Sequence, residues 1–186
     1  MRKSSSLRRK RIAALAMALG FSSLGLVATA STAHADAYTL RPIVQYYHWG
    51  RQDNFAAVTA QEWQSAESQG YELIRELDGY AMAFPTTNQS TQAPLSLWWH
   101  AARGDYMSTA TPTGVASARS AGYVYVGQQG FVWTYARAKT VPLYLYWNGD
   151  RQDNYLTSTP EGIAAAESAG YVPVRIEGWV FPTTSI

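Results

Sequence analysis

Three stretches of this chain align with one another, and that constrains what it can fold into more than any other feature. They run over residues 43–85, 95–135 and 143–182. Gly70-Tyr71, Gly122-Tyr123 and Gly170-Tyr171 recur at matching places, Arg51-Gln52-Asp53-Asn54 returns whole as Arg151-Gln152-Asp153-Asn154, and Phe84-Pro85-Thr86-Thr87 returns as Phe181-Pro182-Thr183-Thr184. The second copy diverges most. A unit of about 40 residues cannot bury its own apolar face, so the copies must share a core.

Each copy opens on a strand-like run rich in aromatic and β-branched residues: Ile43-Val44-Gln45-Tyr46-Tyr47, Leu95-Ser96-Leu97-Trp98-Trp99 and Leu143-Tyr144-Leu145-Tyr146-Trp147. After a polar loop, a second short strand begins at Phe55, Tyr106 or Tyr155. A helix of about 10 residues comes next. Thr59, Thr111 and Thr159 occupy its N-cap position, Pro112 and Pro160 its first position, and Gly70, Gly122 and Gly170 its C-terminal stop. Asp78-Gly79, Gln129-Gly130 and Glu177-Gly178 read as the turns of a closing hairpin. The expected fold is therefore α+β: a single globular domain of three pseudo-threefold units, each strand, strand, short helix and β-hairpin. The alternative is a β-trefoil, against which the three capped helices count.

The first 35 residues belong to a different kind of segment. Arg2, Lys3, Arg8, Arg9, Lys10 and Arg11 form a basic start, residues 12–28 are apolar, and Ala33-His34-Ala35 is a small-residue cleavage signal. This is the pattern of a secretory signal peptide, cleaved after Ala35 to leave a domain over residues 36–186. The leader carries 6 of the 15 basic residues and no acid, so the mature chain holds 9 Lys and Arg against 13 Asp and Glu, a net charge of −4. No basic stripe is left for a nucleic acid, and no apolar run after the leader is long enough to span a membrane. With no cysteine, disulfides and thiolate metal sites are excluded.

Tyr146-Trp147-Asn148, Gly104-Asp105, Gly170-Tyr171 and Glu177-Gly178-Trp179 resemble a tandem-repeat family of unknown function in secreted microbial proteins, often appended to hydrolases. Its pattern is aromatic-aromatic-Asn, a loop with Gly-Asp-His-Phe-Tyr-Thr-Thr, a small helix ending in Gly-Tyr or Gly-Trp, and a Glu-Gly-aromatic turn. The similarity spans nearly all of the mature chain. It departs at the histidine, since the copies here read Asp53-Asn54-Phe55, Gly104-Asp105-Tyr106 and Asp153-Asn154-Tyr155. The resemblance implies an extracellular accessory module, of a kind that binds sugar or cell wall.

Catalysis finds little support. His48 and His100 are the two histidines of the mature chain, and Asn148 takes the same place in the third copy. A position filled by His, His and Asn suits a loop cap better than proton transfer. No nucleophile elbow or zinc-protease motif occurs. Asp78 and Glu177, as turn residues, read as solvated charge, although as a pair they could serve a small hydrolase. The oxygen-rich loop over residues 148–154 could take calcium, but Asp153 and Asn154 bonding their own loop backbone is the preferred reading, and no cofactor is expected.

Binding is better supported. Each copy sets an aromatic ring beside loop polars: Trp49 with Arg51 and Asp53, Trp99 with Arg103 and Asp105, Trp147 and Asn148 with Arg151 and Asp153. Flat rings with a few hydrogen-bonding groups suit sugars. Trp99 and Trp147 are read mainly as core, Trp49 as nearer the surface. The expectation is a secreted, non-enzymatic module for carbohydrate or a cell-envelope polymer, or else one that docks a secreted or surface protein. Intact-mass measurement of exported material checks the leader: the expected species begins at Asp36.

Overall fold

The computed structural model describes residues 38–184. The expected leader and its cleavage signal lie outside the described residues. No helix among the described residues is long and apolar enough to cross a membrane.

The chain runs β1 (Leu40–Pro42), β2 (Val44–His48), β3 (Asp53–Ala57), α1 (Ala60–Ser68), β4 (Glu72–Arg75), β5 (Tyr80–Met82), β6 (Gln92–His100), β7 (Asp105–Thr109), α2 (Pro112–Ser120), β8 (Val124–Trp133), β9 (Val141–Asn148), β10 (Asp153–Thr157), α3 (Pro160–Ser168) and β11 (Val172–Val180). Antiparallel pairing makes a curled eight-stranded sheet in the order β1-β5-β8-β11-β9-β10, with β6 also on β8 and β7 on β6. A separate three-stranded sheet has the order β3-β2-β4.

This arrangement corrects the expected fold class. Strands take 46% of the described residues and helix 20%, so the fold is β-rich, a curled half-barrel rather than an α+β globule. One large sheet and one small one do not amount to three equal pseudo-threefold units, and they do not make the β-trefoil alternative either. The helices are nine-residue pieces laid on β3, β7 and β10. Each is capped by its threonine, and α1 carries a full capping box between Thr59 and Glu62.

The closing hairpins are also corrected. β8 and β11 are single continuous strands, and the expected turns at Gln129-Gly130 and Glu177-Gly178 are bulges within them, where the register against β6 and β9 slips by one residue. A bulge turns one extra side chain out of the ladder. Here those side chains turn inward, so that Gln129 and Glu177 are buried, as is Asp78 at the corresponding place between β4 and β5. The reading of Asp78 and Glu177 as solvated charge is thereby overturned.

What they do inside explains their burial. One Glu177 oxygen accepts from the Ala110 and Thr111 N–H groups, both at 2.9 Å, and from the Thr109 and Thr111 hydroxyls. Arg175 supplies the counter-charge at 2.5 Å. Asp78 accepts from the Thr157 and Thr159 hydroxyls at 3.1 and 2.6 Å and pairs with Arg75 at 3.3 Å. Each acid thus locks the start of a helix far away in the chain, Glu177 that of α2 and Asp78 that of α3. Gln129 is the neutral counterpart: it donates to the Ala56 carbonyl at 2.8 Å and to Glu62 at 3.2 Å, and Glu62 itself caps α1. A buried carboxylate with this many donors is stable where a bare one is not.

The glycine after the bulge is required by close approach, not by a hairpin turn. A Cβ on Gly130 would lie 2.6 Å from the Met82 carbonyl oxygen, which is backbone and cannot swing aside, whereas one on Gly127 in the same strand would meet nothing within 4 Å. Gly130→Ala is expected to destabilise the fold by about 1–3 kcal/mol and to lower the urea midpoint. Gly127→Ala is expected to leave it unchanged or raise it.

Candidate functional site

Asp53, Asp105 and Asp153 open β3, β7 and β10, the three strands that lie against one another at the centre. The loops before them are built alike. Backbone N–H groups of Arg51 and Arg103 donate to Nδ1 of His48 and His100 at 3.0 and 3.1 Å, and that of Arg151 to Oδ1 of Asn148 at 3.0 Å. The shared His, His and Asn position therefore holds the loop. Gln52, Gly104 and Gln152 follow with φ of 59°, 70° and 55°, and this left-handed residue turns each aspartate inward.

All three carboxylates are buried, at 1% exposure each. Each bridges a seam to the next stretch of chain. Asp53 accepts from Tyr106 N–H at 3.0 Å, Asp105 from Asn154 N–H at 2.9 Å, and Asp153 from Asn54 N–H at 3.0 Å, which closes the ring. The Asn54 and Asn154 amides add bonds of 2.7 and 2.8 Å to Asp153 and Asp105. Tyr71, Tyr123 and Tyr171 each donate a hydroxyl to the aspartate of their own stretch. Asp153 and Asn154 thus bond across a seam rather than to their own loop; it is Asn148 that forms the local turn.

Burial raises the pKa of all three aspartates. At Asp53 and Asp105 the charge of the neighbouring carboxylates pushes further the same way, while at Asp153 tyrosine and N–H donors pull back without cancelling the effect. Burial and the adjacent carboxylate push the three tyrosine hydroxyls up as well. Among the described residues, these carboxylates are the group with metal-ligand spacing, one oxygen from each lying within 4.8 Å of the others. Their oxygens already accept from N–H and hydroxyl donors, and the carboxylates raise one another's pKa at this spacing, so the arrangement suits shared protons.

The arginines and rings lie outside this ring of aspartates, at the seams. The guanidinium of Arg51 stands 5.7 Å from the Tyr71 ring centre and 5.6 Å from Trp99; Arg103 stands 5.5 Å from Tyr123 and 5.3 Å from Trp147; Arg151 stands 5.6 Å from Tyr171. Two seams open into cavities. One, of about 260 Å³, is lined by Arg103, Tyr123, Trp147, Asn154 and Arg175 among others. The other, of about 290 Å³, is lined by the corresponding Arg151, Tyr171, Tyr47, Asn54 and Arg75. Trp49 stands beside the second. It is 66% exposed, set edge-on to Tyr47 at 4.8 Å, and its Nε1 donates to Glu72 at 2.8 Å.

A family profile described as a domain of unknown function, DUF5648, matches residues 42–181. The chain belongs to that family. Comparison with curated proteins gave no match, and neither did comparison with solved structures. The matched span includes all three aspartates and both seam cavities, so these are features of the family domain of this chain.

Of the residues singled out from sequence, Arg103, Trp147 and Arg151 line seam cavities, and Trp49 is an exposed ring beside one. Arg51 and Trp99 pack together in the third seam. Asp53, Asp105, Asp153 and Asn148 are interior. Sequence reading missed Tyr47, Asn54, Asn154, Arg75 and Arg175 as cavity walls; the recurrence of Asn54 with Asn154 and of Arg75 with Arg175 was the available signal. It also missed a cleft of about 490 Å³ walled by Tyr38, Phe84, Trp133, Tyr135 and Arg137. There the Arg137 guanidinium covers the Trp133 ring at 4.0 Å.

The raised aspartates give stability a definite pH dependence. The folded chain keeps protons that the unfolded chain releases above ~4, the ordinary Asp value, so stability falls as pH rises from there through the folded values. Asp53→Asn is the cleanest probe, because the oxygen not facing Tyr106 N–H meets the Tyr71 hydroxyl. Thermal melts at several pH values are expected to show a shallower decline for the variant and a higher melting temperature near pH 8, by roughly 3–5 °C for each kcal/mol recovered. A variant that melts lower near pH 8 but not near pH 5 would mean that the charged carboxylate is needed.

Proposed function

We propose that this chain is an exported, non-enzymatic module that binds carbohydrate or another polymer outside the cell through its seams. The observation that carries the reading is Trp49: a mostly exposed indole, fixed in orientation by Tyr47 and Glu72, beside a cavity with an asparagine amide and a guanidinium in its wall. A fixed flat ring stacks on the apolar face of a sugar at little entropic cost, while neighbouring donors take its hydroxyls. A second cavity of the same chemistry adds avidity on a polymer. Export rests on the leader read from the sequence.

A second reading has an observation of its own. Leu73 and Ile74, Val124 to Val126, and Val172 with Val174 put exposed apolar side chains on β4, β8 and β11. Strands with that outer face suit docking to a secreted or surface protein. The hydrolase reading is the weakest, because Asp78 and Glu177 are buried and committed to helix starts.

Retention on insoluble polysaccharides and a glycan array test the first reading. The wild-type chain is expected to be held by at least one matrix. Trp49→Ala is expected to weaken that binding about tenfold or more, the usual scale for losing a central aromatic anchor. Retention on no matrix, or unchanged binding by the variant, would refute it.

A further inference from the structure

The walls of the two seam cavities point to the charge of the ligand, which deepens the binding reading and rests on it. Arg75 and Arg175 are already neutralised by Asp78 and Glu177. Arg103 and Arg151 are not: among the described residues neither has an acidic partner within 4.0 Å. Arg103 lies over the Tyr123 and Trp147 rings and Arg151 over the Tyr171 ring, and each makes one long hydrogen bond, 3.3 Å from Arg103 to the Tyr123 hydroxyl and 3.5 Å from Arg151 to that of Tyr171. A guanidinium has five N–H donors in a planar fork that matches a carboxylate. Both forks are half-buried, both line a cavity, and both have an asparagine from the facing strand, Asn154 or Asn54, in the same wall.

The third seam acts as an internal contrast. Arg51 stands over Trp99 as Arg103 does over Trp147, but Tyr106 replaces the asparagine. Its ring stacks on Phe55 at 4.3 Å, and its hydroxyl accepts from Gln69 at 3.3 Å. Gln69 in turn accepts from the Arg51 guanidinium at 3.2 Å. The larger tyrosine ring stands where the other seams have asparagine, and the arginine fork is engaged within the protein.

We propose that the Arg103–Trp147–Asn154 and Arg151–Tyr47–Asn54 cavities are two subsites for a carboxylated sugar, such as a uronic acid unit of an acidic polysaccharide, and that the Arg51 seam is not a subsite. The guanidinium takes the carboxylate, the asparagine Oδ1 accepts from a neighbouring hydroxyl, since both N–H groups of that amide are already given to an aspartate and a tyrosine, and the aromatic ring takes the apolar face. A sugar is favoured over an acidic peptide because each subsite joins a flat ring to the charge. The burial of Asp53, Asp78, Asp105, Asp153 and Glu177 also leaves the surface less negative than the −4 expected for the chain without its leader suggests.

Calorimetric titration of the exported chain tests this with three probes: a hexamer of galacturonic acid, a neutral xylose hexamer, and hexaglutamate. The uronate is expected to bind at least about tenfold tighter than the neutral hexamer and to weaken as salt rises. Arg103→Gln and Arg151→Gln are each expected to cost about tenfold in uronate affinity, with Arg103→Lys recovering only part of the loss because a point charge replaces the fork. Arg51→Gln is expected to bind as wild type, and melting curves check that each variant is folded. Equal affinity for the two sugars overturns the carboxylate assignment and leaves the sugar-binding reading standing. Tighter binding of hexaglutamate overturns the sugar assignment in favour of a protein partner. Binding of none of the three, with a neutral glycan retained elsewhere, overturns the subsites alone; retention nowhere overturns the binding reading as well.

Discussion

Three buried carboxylates, with one oxygen of each within 4.8 Å of the others, are the constraint on which this structure depends. Each opens a central strand and accepts an N–H from the next, and the third returns to the first. Desolvating three acids together is costly, and the cost is offset only when the tyrosine hydroxyls, the asparagine amides and the neighbouring strands are all in place. No one stretch can form this centre alone. A second set of bonds ties the same elements in the opposite sense: Asp78 holds the start of α3, Gln129 that of α1 and Glu177 that of α2. Each stretch is therefore attached to both of its neighbours by polar bonds whose loss would strand a buried group.

That arrangement explains where the surface chemistry falls. The aspartates take the centre of each loop inward, and the arginine two residues earlier is left at the seam, lying over the tyrosine that serves the aspartate. Loop residues that look like one binding cluster in the sequence are divided by depth. The carboxylates stabilise the fold, the guanidinium and the ring face outward, and the seam between neighbouring strands sets the room available.

Much of the local structure was legible in the chain. The threonine caps, the glycine stops and the loop-holding position shared by His48, His100 and Asn148 follow from short-range chemistry, which a sequence carries openly. What escaped depends on partners far along the chain. Glu177-Gly178 and Gln129-Gly130 have the composition of turns, and the approach of the Met82 backbone to Gly130 is what makes the latter a bulge. Asp53 and Asp105 read as loop polars that face a ligand, and the N–H groups that let them go inside belong to Tyr106 and Asn154. The fold class failed for the same reason, since like stretches join unlike sheets and only strand pairing decides that.

The ends of the described chain meet. The Tyr38 ring lies 5.3 Å from that of Phe181, and Tyr80 and Phe181 exchange backbone hydrogen bonds. Because the polar network is a closed loop, it has no first or last member, and the point at which the polypeptide is cut is not part of its logic. A version with the old termini fused and new ones opened in the exposed connection between β8 and β9 would retain each of these bonds, so connectivity is a historical detail of this architecture rather than a physical requirement.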